Sequence, residues 1–164
     1  MSLILIRHTR PEVAAGICYG STDLPAAPGF EAEAAHLTAR FPTADCIVSS
    51  PLRRCLPLAE FLAERLGAPL FLDARWREMD FGAWEGRAWE TIARTDLDAW
   101  AADLMEARPH GGESVAMLSA RIGEAISECR ATVGLTLVVT HAGPMRAALG
   151  DWNRAIAYGE AIEL

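Results

Sequence analysis

Three short apolar runs constrain this chain most: LILI at 3–6, CIV at 46–48 and LTLVV at 135–139. None alternates with polar residues, and none is long enough for a buried helix. Continuous apolar strands of this length are buried on both faces, which happens when helices cover a parallel sheet on either side. Weaker runs, PLFL at 69–72 and EAIEL at 160–164, suit two further strands. The expected fold is α/β: a single three-layer α/β/α domain over 1–164 with a mostly parallel central sheet.

The gaps between strands carry helical spacing. FEAEAAHLTARF (30–41) and PLRRCLPLAEFLAERL (51–66) repeat apolar residues every three or four positions. In the second, Pro51 occupies a tolerated first-turn position, Pro57 is expected to perturb the opening turns, and Gly67 closes the end. SVAMLSARIGEAISECRA (114–131) predicts a long helix capped by Ser114. Residues 75–113, rich in Trp, Gly and charge, predict a short irregular excursion with brief helices. The chain shows no repeat, linker or low-complexity tract.

A net charge of −7 argues against nucleic acid as partner. Cys18, Cys46, Cys55 and Cys129 are scattered without a CxxC pair, which suits free thiols rather than disulfides or zinc. No apolar run reaches the length of a signal-peptide core or a membrane span. A cytoplasmic protein without membrane contact is therefore expected.

Polar residues gather where the apolar runs end. The first run leads into Arg7-His8-Thr9, the second into SSPLRRC with Ser49, Ser50, Arg53 and Arg54 opening a helix, and the late run into THAGPMR. Ligands of parallel α/β sheets bind at the carboxyl ends of the strands, where helix N-termini add N–H donors for an anion. Two histidines and two or three arginines would meet there, a positive cluster on a negative protein. That implies an anionic substrate, with phosphate the leading candidate.

These segments resemble the motifs of the histidine phosphatase superfamily, in its phosphoglycerate mutase-like branch. LIRHTRP resembles the first-histidine motif, SSPLRRC its SSPLxRA segment, REMDFGAWEG its central acid motif, PHGGES its entry to a long helix, and VVTHAGPMR its second-histidine motif. All five stand in family order between residues 3 and 146. RHTRPEVAAGICYGSTDLP and REMDFGAWEG further resemble the α-ribazole phosphate phosphatases of cobalamin biosynthesis.

The resemblance implies a phosphoglycerate mutase-like fold and a metal-independent phosphomonoesterase that needs no cofactor and acts on a small phosphorylated substrate. His8 is the implied nucleophile, since an unprotonated imidazole nitrogen can attack phosphorus in line. Arg7, Arg54 and His141 are the implied donors to the phosphoryl oxygens, with Arg53 facing solvent and His141 protonated beside two arginines and a dianion. A carboxylic acid must protonate the leaving group. Glu78 and Asp80, two apart in an extended segment, face the same side; spacing cannot choose, and the resemblance selects Glu78, leaving Asp80 as a turn residue before Phe81-Gly82.

Gly20, Ser21 and Thr22 of YGSTDLP, with Ala142, are expected near the phosphate, while Glu113 of GGE is structural. Trp84 and Trp89 could stack on an aromatic substrate or simply fill core. Thr9 stands where the general motif has Gly, and Arg10 where many members carry Glu. The chain runs only to Leu164 after His141, so a short segment before the last strand is expected to open the pocket or weaken that end of the fold. Three rival readings are a phosphoglycerate mutase or other small-ester phosphatase, a non-catalytic phosphate-binding domain, and a metal hydrolase built on His8, His141 and a carboxylate.

Overall fold

A computed structural model describes residues 2–164. Five strands form one sheet: β1 (Ser2–Arg7), β2 (Cys46–Ser49), β3 (Leu70–Leu72), β4 (Leu135–Thr140) and β5 (Ala161–Glu163), in the order β3-β2-β4-β1-β5. The first four are parallel, and β5 pairs antiparallel with β1. Successive side chains of a strand point to opposite faces, and the apolar runs use both. Leu3, Leu5, Val48 and Val138 join one core cluster with Leu118, Ile122 and Met145. Ile4, Ile6, Ile47, Leu137 and Val139 join the other with Leu37, Leu58 and Leu62. Helices α1 (Glu31–Arg40) and α2 (Leu56–Leu66) thus cover one face, and α4 (Val115–Ala131) and α5 (Ala142–Leu149) the other. This is the expected three-layer architecture. Among the described residues no helix is long and apolar enough to cross a membrane.

Two helix boundaries carry the sequence logic. Ser114 caps α4, its side chain accepting from Met117 N–H at 3.2 Å. Helix α2 begins at Leu56, later than expected: Pro57 stands in its first turn, and Gly67 caps its end in the left-handed region. A proline at 57 within a helix begun at Pro51 would clash with the carbonyl of Arg53 and lack the bond to it. The helix therefore starts where proline is harmless, and residues 51–55 form turns instead. Those turns carry Arg54 inward and leave Arg53 exposed.

Between Ala74 and His110 run three single-turn 3₁₀ segments (Ala74–Trp76, Gly82–Trp84, Trp89–Thr91) and α3 (Arg94–Ala102). They enclose a small cluster of Cys18, Trp84 and Ile92, against which Phe81, Trp89 and Trp100 pack. After α5 the chain folds back over the strand ends. Arg7 donates to the Ile156 carbonyl, Gly159 N–H donates to the Arg7 carbonyl at 3.1 Å, and β5 pairs with β1. The short C-terminal segment is thus tied by its backbone directly to Arg7 and His8.

Candidate active site

Strand register brings the two histidines together. Arg7 of β1 is the register partner of Thr140 of β4, so the next residues, His8 and His141, stand side by side with ring centroids 5.0 Å apart. Ser49 of β2 lies opposite Val139, which sets Ser50 beside the same edge. His8 is 1% exposed, and His141 and Arg54 are fully buried. The positive cluster expected at the strand ends is present.

His8 donates from Nδ1 to the carbonyl of Thr9 at 2.6 Å, which leaves Nε2 as the unprotonated nitrogen. Burial and the Arg54 charge, with a smaller contribution from Arg7, push its pKa down to about 3, against the opposing Thr9 bond. The imidazole is therefore neutral at neutral pH, the state a nucleophile needs.

His141 is neutral as well; the expected protonated form belongs to a site holding a dianion. Arg54 Nε donates to its Nδ1 at 3.2 Å, so Nε2 carries the proton and donates to Ser50 Oγ at 2.8 Å. Burial, the neighbouring His8 and the arginines all hold its pKa well below the usual value. Flanking arginines oppose protonation; only a bound anion works in the other direction.

Arg54 is held on three sides: Nε by His141, one terminal nitrogen by the Thr22 carbonyl at 2.7 Å, and the other by the Gly20 carbonyl at 2.6 Å. Tyr19 lies 5.1 Å from this guanidinium, and Tyr158 packs over that of Arg7 at 3.9 Å. The two tyrosine hydroxyls meet at 3.2 Å. Arg7 keeps a buried Nε with no protein partner.

Glu78 reaches the same edge from the central excursion. Its Oε1 accepts from Met79 N–H at 2.9 Å and its Oε2 from Gly143 N–H, at the start of α5, at 3.2 Å. A Cβ at position 143 would lie 2.1 Å from Oε1, so the approach requires glycine. Arg121, paired with Glu113 at 2.7 Å, donates to the carbonyls of Arg77 and Glu78 and steadies this segment. Glu113 is thus structural, as expected. Asp80 accepts from Gly82 N–H at 2.7 Å, the turn role foreseen for it.

A cavity of about 420 Å³ is lined by Arg7, Gly20, Glu78, Ala142 and Gly143 together with Phe81, Trp89, Trp100, Trp152 and Arg146; the buried His8, Arg54 and His141 do not line it. The side chains of two residues expected near the phosphate are engaged elsewhere. The hydroxyls of Ser21 and Thr22 both bond to the Glu85 carboxylate, so this loop serves Arg54 through its carbonyls. Trp84 is 2% exposed and packs against Trp89, Trp100 and His110, which makes it core; Trp89 does reach the cavity. Sequence reasoning gave no role to Glu85, Tyr19, Tyr158, Trp100 or Trp152. Glu85 lies inside a motif already singled out, whereas nothing local marks Tyr158 or Trp152.

Two histidines at adjoining parallel strand ends, two arginines and a carboxylate thus meet at one edge of the sheet. The family model of the Histidine phosphatase superfamily (branch 1) matches residues 3–160, and the chain belongs to that family. It is 32% identical over 80% of its length to a probable phosphoglycerate mutase of Proteus mirabilis, and 38% identical over 68% to a glucosyl-3-phosphoglycerate phosphatase of Mycolicibacterium vanbaalenii. The matched stretch spans 64% and 52% of those two relatives. A mycobacterial glucosyl-3-phosphoglycerate phosphatase, solved with a vanadium oxyanion, superposes with a TM-score of 0.84 at 26% identity, covering 99% of this chain and 92% of that one.

Proposed function

We propose that this chain is a metal-independent phosphomonoester hydrolase working through a phosphohistidine on His8, with α-ribazole 5′-phosphate as its substrate. The observation that carries the chemistry is a neutral His8, its free Nε2 beside Arg7, Arg54 and His141, next to a cavity that Glu78 lines.

In the first half-reaction His8 Nε2 attacks phosphorus, the P–N bond forms and the P–O bond to the leaving alkoxide breaks. Charge on the equatorial oxygens is met by the rigid forks of Arg7 and Arg54. Glu78 gives its proton to the departing oxygen, a contribution of about 10²–10⁴-fold. In the second half Glu78 takes a proton from water, whose oxygen attacks phosphorus and releases phosphate and neutral His8. His141 Nε2 bonds Ser50 Oγ in the free site, so its role as donor to the phosphoryl oxygens requires that bond to be exchanged for one to the anion.

For the organic part of the substrate, the support is the aromatic wall of Phe81, Trp89, Trp100 and Trp152, which suits a flat benzimidazole. Arg146 on the same wall favours a second reading, an ester carrying a carboxylate such as 3-phosphoglycerate or its glucosyl derivative. The test has two parts. Labelled substrate quenched in alkali should leave phosphate on the wild-type protein and none on His8→Ala; label stable in acid but not alkali would remove His8 as nucleophile. Comparison of kcat/KM should then favour α-ribazole 5′-phosphate over 3-phosphoglycerate by about tenfold, the value of one stacking contact. Equal or reversed values would overturn the ribazole assignment.

A further inference from the structure

Arg54 is a buried guanidinium whose hydrogen-bond partners are all neutral: two carbonyls and an imidazole nitrogen. A buried cation so placed depends on the aim of those dipoles. Both carbonyls belong to the loop at 20–22, and that loop is held from its far side by one carboxylate. Glu85 Oε1 accepts from Ser21 N–H at 2.8 Å, from Ser21 Oγ at 3.0 Å and from Phe81 N–H at 2.9 Å, while Oε2 accepts from Thr22 Oγ1.

The Ser21 N–H and the Gly20 carbonyl are two ends of a single trans peptide plane and point in opposite directions. Fixing the N–H on Glu85 therefore aims the carbonyl at Arg54. The contact is tight: Gly20 has φ of +37°, and a Cβ there would lie 2.4 Å from Glu85 Oε1 and 2.7 Å from the Met79 carbonyl. The Phe81 bond ties the same carboxylate to the segment that carries Glu78.

We propose that Glu85 is a positioning residue for the phosphate site, acting through the Gly20–Ser21 peptide plane and the Thr22 carbonyl to hold the Arg54 fork against the phosphoryl oxygens. This rests on Arg54 being a phosphate-binding group. Glu85 itself touches no reacting atom.

The test is a double-mutant cycle between Glu85 and Arg54, read by vanadate inhibition and by kcat for nitrophenyl phosphate. Releasing the fork by about an ångström should weaken vanadate and lower kcat on the order of 10²-fold in Glu85→Ala. In the Arg54→Ala background the same substitution should change either quantity by less than about twofold, since the group it positions is gone. Glu85→Gln should recover most of the loss, because its amide oxygen can keep the three bonds made by Oε1. Should Glu85→Ala lack a cooperative thermal transition, the pair Ser21→Ala with Thr22→Val removes two of the four bonds and should show a smaller loss that again vanishes without Arg54. Equal losses with and without Arg54, or no loss at all, would overturn the proposal. Wild-type vanadate affinity in Arg54→Ala alone would instead bring down the phosphate-site reading on which it stands.

Discussion

Gly143→Ala isolates the leaving-group acid with one methyl group. The backbone of Gly143 lies in ordinary helical space in the first turn of α5, where alanine is favoured by about 1 kcal/mol. The new Cβ meets Leu118 at 3.5 Å, an ordinary contact, but stands 2.1 Å from Glu78 Oε1 and 3.1 Å from its Cδ. The carboxylate therefore has to retreat by about 1 Å to reach a tolerable separation, losing its bonds to Met79 and Gly143. A displacement of that size costs roughly 10²-fold, or about 2.7 kcal/mol of barrier, in any step that needs the displaced group. Glycerol phosphate, whose alkoxide must be protonated, should lose about that factor in kcat/KM. Nitrophenyl phosphate, whose leaving group departs without a proton, should change by no more than a few-fold. Thermal unfolding should remain cooperative and close to wild type. Equal losses for both esters, or none for either, would refute the assignment of Glu78 as acid.

Two further outcomes follow from the same geometry. Glu78→Gln should slow alkyl esters severely and spare nitrophenyl phosphate, while Asp80→Asn, which alters a turn, should stay near wild type with both; the reverse pattern would move the acid to Asp80. His8, with a folded pKa of about 3 against an ordinary 6.5, and His141, also lowered, bind fewer protons folded than unfolded. Their contribution to stability is thus complete above about pH 6.5 and is lost progressively as pH falls from there toward 3. Urea unfolding at pH 7 and pH 5 should show this loss, and His8→Gln or His141→Gln should each reduce it. A slope unchanged in both variants would refute the linkage.

The sheet was legible in the chain because apolar runs of strand length, buried on both faces, admit few other structures. All five strands fall on the runs that predicted them. The motif set, in family order, marked His8, Arg54, Glu78 and His141 as the residues to watch. It chose Arg54 over Arg53 but could not show where α2 starts, since two prolines six apart each permit a first turn locally. Spacing alone could not separate Glu78 from Asp80, nor core tryptophan from cavity tryptophan, because each pair is chemically alike and differs only in what lies opposite.

What the chain determined by itself is local: where strands, caps and turns fall, and which residues leave the strands as charge. What only the tertiary structure decided is relational. Parallel register set Arg7 opposite Thr140 and hence His8 beside His141. Burial among arginines made both imidazoles neutral, a state that no neighbour in sequence imposes. The Glu85 carboxylate found the loop at 20–22 across 64 residues of chain, and Tyr158 found Arg7 from the opposite end of the molecule. Such pairings follow from which strand edges adjoin, and that depends on the packing of two whole cores rather than on any local spacing.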